Sequence, residues 1–414
     1  MTRRPAVVFI LITLLLDVMS FGLLLPVLPA LVGEFTDSRD AQTYWYGAMI
    51  VTFGLTQFFC APFLGALSDR YGRRPVLLGS IAGLGAMFLL SALATSLTGL
   101  LVARVLGGLL AANFAVANAY VADLTTPETR ARSFGMIGAA FGIGYIVGPM
   151  VGGLLGSIDI RLPFYVAAGL SAANFLYGLL VVPESLPAER RRPLQWRRAN
   201  PFTSLHGLTQ LRAVGVLVAV IAVANLAQYI LHSTWVLYTT FRFDWGPRET
   251  GLSLFAVGMM AALVQGGLLG RLLRALGERR LVLAGLASGT LAYLAYGLTT
   301  VGWLMYVVIV VNLLAFAVGP ALGAIVSKAA DASEQGQAMG ALTSLNAMMA
   351  VLAPFIGTPL LARVSHLPAG DWRIGAPFFM SALLSLVALT LAVMHFRRHP
   401  ATAATHNVAP VTHR

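Results

Sequence analysis

The chain has 414 residues, of which 58% are hydrophobic and only 11% charged, and its formal net charge is +12. Soluble domains carry about 25% charged residues, so this composition excludes an ordinary water-soluble domain and points to a chain in lipid. One cysteine, Cys60, excludes an internal disulfide.

Apolar stretches long enough to span a bilayer recur at residues 6–32, 45–66, 75–95, 99–121, 133–156, 163–183, 212–240, 250–270, 281–299, 302–326, 337–361 and 375–396. They predict an all-α membrane protein with twelve transmembrane helices. With the N-terminus on the cytoplasmic side, the loops on that side hold twenty-one of the 28 Lys and Arg residues, and the opposite loops hold six. That excess places both termini in the cytoplasm. The positive charge then reads as orientation, not nucleic-acid binding. The first span is too long, and too acidic at its centre, for a cleaved signal peptide.

Asp17 lies in the first span, roughly 16 Å below the surface by helix rise. A carboxylate at that depth is costly and functional by default; the alternative is a structural group that caps or pairs with a neighbouring helix. Pro26 and Pro29 are expected to bend the outer end of this span. Tyr44, Trp45 and Tyr46 mark the outer interface, and Gln57 in the second span should face the bundle interior. Between the second and third spans, Asp69 sits among Arg70, Arg73 and Arg74, flanked by Gly65 and Gly72. Gly65 allows close helix packing, Gly72 a tight turn, and the charges can bond neighbouring helix ends. A positive anchor would need only basic residues; the acid and the two glycines favour a cytoplasmic gate.

The fourth span holds Arg104 inside the membrane, the partner expected for Asp17 by depth alone. Asn113 and Asn118 follow as candidate cavity residues. Asp123 and Arg130 belong to the next cytoplasmic loop and are expected to help hold that side closed. Gly144, Gly148, Pro149, Gly152 and Gly153 crowd the fifth span. Such a helix is poor by propensity, so close packing must compensate; a packing helix without any coupling role is the alternative. Residues 184–211, with Glu184, Pro187 and Pro201, read as a linker between two halves, 1–183 and 212–414.

The seventh span opens the second half with Asn225, Gln228, Tyr229 and His232 on one face, extended by Trp235. Such a stripe suits a cavity wall; membrane-anchoring aromatics with one chance histidine are the alternative. Gln265 and Asn346 add polar groups later. A shift of 205 residues maps Gly65, Gly72, Gly135 and Pro149 onto Gly270, Gly277, Gly340 and Pro354, as expected of a parallel duplication. The charges diverge: Asp69 maps to Arg274, Asp123 to Lys328 and Asp17 to Ala222. The first half thus keeps the ionisable machinery, and the second is expected to supply more substrate contacts. No Walker loop is present, which leaves a secondary transporter with substrate near the midplane.

The 65–75 stretch resembles the signature loop of the major facilitator superfamily, and more closely that of its tetracycline/proton antiporters. Arg104 to Gly108 resembles part of the superfamily's fourth-helix motif, and Gly144 to Gly153 its antiporter motif. The resemblance continues through Asp17, Gly22, Pro26 to Pro29, Ala119 to Arg132, Arg242 to Gly258 and Gln265. It implies a two-half major facilitator fold and a gate role for the 65–75 loop. It also implies proton coupling at Asp17 and Arg104, and export of a lipophilic drug such as tetracycline from a bacterial inner membrane. Protons, a small molecule and the bilayer are the implied partners, and no enzyme activity, cofactor, resident metal or nucleic acid is expected. A monomer is expected. The family's acid in the ninth helix falls at Gly289 and its eighth-helix histidine near Ala261, so a broader or different lipophilic substrate is expected beside a metal chelate. Proton-coupled import of a sugar or organic acid, and a non-transporting receptor or scaffold, are the alternatives.

Overall fold

The computed structural model describes residues 3–111, 113–191, 215–329 and 335–399. Every regular element among them is helical. The first stretch gives α1 (Arg3–Gly22), α2 (Leu28–Gly33), α3 (Arg39–Tyr71), α4 (Arg73–Leu93) and α5 (Leu97–Leu110). Then come α6 (Asn113–Leu124), α7 (Pro127–Gly156) and α8 (Leu162–Val181). Beyond the linker lie α9 (Gly215–Phe243), α10 (Pro247–Leu263), α11 (Leu269–Leu298), α12 (Gly302–Val311), α13 (Val318–Ala329), α14 (Gln335–Val364) and α15 (Ala376–Arg398). Residues 192–211 of the expected linker lie outside the described residues.

Local chemistry sets the boundaries. Ser38 Oγ accepts from Ala41 N (3.3 Å) to start α3, and Ser96 Oγ accepts from Gly99 N (3.2 Å) to start α5. The first apolar span is not one helix: α1 ends at Gly22, the chain turns through Leu23–Val27 around Pro26, and α2 resumes with Pro29 in its first turn. The fourth span breaks after Leu110, and the tenth breaks into a 3-10 turn at Leu313–Ala317. Gly72 (φ 107°) and Gly277 (φ 72°) take up backbone forbidden to most residues, at positions 205 apart.

Among the described residues, nine helical runs are long and apolar enough to cross a bilayer. The pair Gly302–Val311 and Leu313–Lys328, bent by 49°, makes a tenth if read as one broken span. Val8–Gly22 is a shorter apolar helix, and Pro247–Leu298 is counted as one run although a π-helical turn at Val264–Leu268 and Gly277 interrupt it. Outward-facing leucines and valines such as Leu180 (81% exposed) and Val311 (70%) suit lipid rather than water. This is an all-α, multi-pass membrane fold.

Lipid offers no hydrophobic drive for one helix to leave it for another, so association rests on close packing. The C-terminal half of α7 is the seam. A Cβ on Gly148 would come 2.8 Å from Gly22 Cα of α1, and one on Gly153 would come 2.9 Å from Gly251 Cα of α10. At that end a single apolar cluster joins Tyr46, Met49 and Phe88 to Trp235, Tyr238 and Phe378. At the end carrying residues 65–75 the core divides in two. One cluster centres on Ile10, Leu64, Tyr120 and Ile137, and the other on Leu217, Val282, Leu322 and Ala392. There Gly135, Gly138 and Gly142 of α7 have no atom within 4 Å of a built Cβ among the described residues. The bundle is a wedge, shut at one end and open toward the arginine-rich loops.

Candidate functional site

Three interior cavities hold the candidate residues, two of them along the opened seam. The first, about 240 Å³, is walled by Asp17, Asn113, Gln57, Phe21, Phe53 and Tyr145. Asn113 Nδ2 donates to Asp17 Oδ1 at 2.8 Å, and Gln57 Nε2 donates to the Ala111 carbonyl at 3.3 Å. The break after α5 is what frees that carbonyl and turns Asn113 toward α1. An adjoining cavity of about 250 Å³ shares Phe21, Phe53 and Tyr145 and adds Tyr46, Arg104, Tyr229 and His232. Arg104 is 4% exposed, and its Nε and Nη2 have no hydrogen-bond partner among the described residues. The third, about 350 Å³, lies within the second half and is lined by Asn225, Gln228, Gly289, Tyr293, Asn346 and Ser385 among others.

The sequence stripe on α9 is therefore split: Asn225 and Gln228 face the second-half cleft, and Tyr229 and His232 face the cavity between the halves. Two expectations need correction. Arg104 is not the partner of Asp17: no ion pair within 4.0 Å joins them among the described residues, and Asn113 holds the carboxylate instead. Trp235 is no cavity residue. Three residues past His232, it has rotated into the core, is 3% exposed, donates to Ser253 Oγ at 2.9 Å and packs on Tyr296 and Phe378. Gln265 sits exposed in the π-helical turn, and half-buried Asn118 does not line any of these three cavities.

The loop at 65–75 forms a knot inside the first half. Arg73 is 8% exposed; its Nη1 reaches Asp69 (2.6 Å) and Ser68 Oγ (2.7 Å), and its Nε reaches Asp123 Oδ2 (3.0 Å). The guanidinium thus ties the end of α3 and the end of α6 to the start of α4. Arg74 bonds the Leu179 carbonyl. Arg70 is exposed and stacks over Tyr71 (5.1 Å), away from the knot. Gly65 meets nothing within 4 Å among the described residues. The side chain of Arg130 lies outside the described residues. Gly144 and Gly148 pack on α1, Gly152 on Leu23 in the turn after it and Gly153 on α10, as close packing of this stretch required.

Sequence reading missed Glu184. Its carboxylate accepts from the backbone N–H groups of Arg73 (2.9 Å), Arg74 (3.1 Å) and Leu186 (3.0 Å), so it caps the start of α4. A Cβ on Gly72 would meet the Glu184 carboxylate, which gives that glycine a second reason to be there. The signal was available: the first amides of α4 need acceptors, and Gly72 has no side chain to provide one. Tyr120 was missed too; its hydroxyl donates to the Pro183 carbonyl at 2.7 Å and pins the same segment.

The sequence pattern of the Major Facilitator Superfamily matches residues 10–354. The chain belongs to the Major Facilitator Superfamily. This superfamily chain is a membrane transporter of a small molecule, not an enzyme. It is 37% identical over 388 residues to the class C tetracycline resistance protein of Escherichia coli, covering 93% of this chain and 97% of that one. The class D tetracycline resistance protein of Salmonella ordonez is 36% identical over 403 residues, covering 97% and 99%. Among solved structures, the human organic anion transporter MFSD10 (TETRAN) superposes with a TM-score of 0.68 at 26% identity, covering 95% of this chain and all of the other. The nucleoside transporter NupG, at TM-score 0.74 and 15% identity over 95% of this chain and 99% of that one, shares the fold alone. In this superfamily member the acid and the basic side chains separate by cavity: Asp17 lines one, Arg104 and His232 line its neighbour, and the second-half cleft has none of them among the described residues.

Proposed function

We propose that this transporter is a proton-coupled exporter of a lipophilic drug of the tetracycline kind, working by alternating access in a bacterial inner membrane as a monomer. The observation that carries this reading is Asp17: of the residues lining the three cavities it is the only carboxylate, and it faces a seam open toward the arginine-rich loops. Ionised, it accepts from Asn113; protonated, it gains a donor and loses its charge, so the two forms suit different surroundings of α1. The names of the tetracycline resistance relatives supply the cargo class and the bacterial membrane. The arginine excess puts the open end and both termini in the cytoplasm.

Twelve crossings in two halves, 1–183 and 212–414, fit the helices as well. The 52-residue run Pro247–Leu298 would be roughly 78 Å long as one helix, against a hydrocarbon core of about 30 Å, so it makes two crossings hinged at Gly277. That run split, the bent pair joined and Val8–Gly22 admitted give six crossings on each side of the linker. The breaks after Leu110 and at Leu313–Ala317, and the turns at Gly72 and Gly277, recur at corresponding places in the two halves.

A second cargo, an organic anion, has its own observation: buried Arg104, two of whose nitrogens have no hydrogen-bond partner among the described residues, lines the central cavity, and MFSD10 is titled an organic anion transporter. Everted membrane vesicles with an imposed pH gradient test both. Tetracycline with and without magnesium should accumulate in the wild type, and Asp17→Asn should abolish pH-driven accumulation while downhill exchange persists. Arg104→Gln should depress flux of a fluorescent anion more than that of tetracycline if the second cargo is real. Gradient-driven accumulation by a well-folded Asp17→Asn protein would remove Asp17 from the coupling role.

A further inference from the structure

The cleft inside the second half differs in kind from the cavities beside Asp17 and Arg104. It encloses about 350 Å³ between α9, α11, α13, α14 and α15, within the range of small-molecule sites, about 300–1,000 Å³. Its polar wall is made of amides and hydroxyls, and it contains no Asp, Glu, Lys, Arg or His. Residue 289 leaves it open: a Cβ there would find only Ala315 Cβ and Ser385 Oγ, both at 3.7 Å. Ser385 Oγ is already engaged, accepting from Thr290 at 3.0 Å and donating to the Leu286 carbonyl at 3.2 Å.

Across the cleft, Asn225 Nδ2 of α9 donates to Asn346 Oδ1 of α14 at 2.5 Å. That bond uses one N–H and one carbonyl oxygen. Whichever way the two amides are turned, one carbonyl oxygen and one NH₂ group remain side by side. A ligand with a carboxamide, or with adjacent hydroxyl and carbonyl groups, presents the matching donor and acceptor. A charged ligand group finds no counter-charge here, and its desolvation would go uncompensated.

We propose that this cleft is a recognition site for the uncharged, hydrogen-bonding part of the cargo, of carboxamide or hydroxy-carbonyl type, read by the Asn225–Asn346 pair. It deepens the transport reading and rests on it: the cargo is bipartite, with any ionisable part toward Asp17 and Arg104 and its neutral polar part in the second half.

The test is ligand protection of a cysteine in the cleft. The Cβ of Gly289→Cys stays at ordinary contact distance, 3.7 Å from its nearest neighbours, and Cys60→Ser removes the background thiol. The detergent-solubilised full chain is labelled with a small maleimide in the presence of chloramphenicol, an uncharged amide diol, or ethidium, a permanent cation without such groups. Chloramphenicol should slow labelling at least fivefold at saturation and ethidium should not. Asn225→Leu and Asn346→Leu, on different helices, should each raise the half-protecting concentration at least tenfold. Equal protection by ethidium, no protection by chloramphenicol, or unchanged protection in a folded leucine variant would overturn the proposal. Protection without pH-driven export by the same protein would uphold the cleft and sink the export reading; export without protection would do the reverse.

Discussion

Gly153→Ala should tip this transporter out of the arrangement described above. A Cβ on residue 153 would lie 2.9 Å from Gly251 Cα and 3.3 Å from Gly251 N, and against the Pro247 carbonyl oxygen. All three are backbone atoms of α10 and cannot rotate away. The reverse substitution meets the same wall, since a Cβ on Gly251 would lie 2.9 Å from Gly153 Cα and 2.5 Å from the Pro149 carbonyl. Relief comes only by separating α7 from α10, which parts the two halves at their closed end. Overpacking of this kind costs about 1–3 kcal/mol, and a differential of that size shifts a two-state ratio by roughly 5–150-fold. On the alternating-access mechanism proposed above, the other state opens the same seam, so the penalty falls on this state alone. Spin labels on Arg132→Cys and Arg271→Cys, both exposed and at the arginine-rich end, report the rocking in a Cys60→Ser background. The long distance should lose population to a shorter one, and steady-state transport should slow. An unchanged distance distribution at normal yield would refute the idea that backbone contact at Gly153 and Gly251 sets the balance.

Other expectations follow from the knot and the far loops. Glu184→Ala removes the acceptor for three amides and should cost about 0.5–2 kcal/mol of stability, seen as a lower melting temperature in detergent. Asp123→Asn should lower the melting temperature more than Asp69→Asn, because the Asp123 side chain is 23% exposed and that of Asp69 is 45%; the first costs about 1–2 kcal/mol and the second below about 1 kcal/mol. Asp69→Asn should still depress flux at equal abundance if that residue serves the gate. In the loop before α15, Asp371 accepts from the Arg373 side chain and backbone, which lowers its pKa from 3.8 to about 2. A lowered folded-state value stabilises above the unfolded value and is lost as pH falls from about 4 toward 2. Asp371→Asn should therefore leave the pH profile of transport between pH 5 and 8 unchanged, whereas Asp17→Asn should not.

Sequence reading reached the features that stand out against apolar surroundings: the Asp69–Arg74 cluster, Asp17 and the polar stripe on the seventh span. It failed where azimuth mattered. Depth along a helix follows from counting residues, which put Arg104 level with Asp17. The direction a side chain points does not follow, because the chain breaks after Leu110 and Asn113 resumes with its own rotation. The π-helical turn at Val264–Leu268 adds a residue to one turn and so carries Gln265 off the face that regular counting assigns. Glu184 was passed over for another reason: the need for an acceptor is legible at α4, but the residue that meets it lies 110 residues away, and only the fold joins the two.

The two halves show which parts of such a knot are fixed by physics and which are free. Arg73 and Asp123 pair in the first half, and the residues 205 further on, Glu278 and Lys328, pair in the second with the charges exchanged. Gly72 and Gly277 have not been exchanged for anything. A positive φ leaves the backbone almost no alternative to glycine, whereas an ion pair is indifferent to which partner carries which sign so long as both change together. The second pair is also more exposed on its basic side, with Lys328 at 69% against Arg73 at 10%, so it contributes little to stability. The turn is therefore the shared element of the two loops, and the buried, multiply bonded arginine is what the first half alone has built upon it.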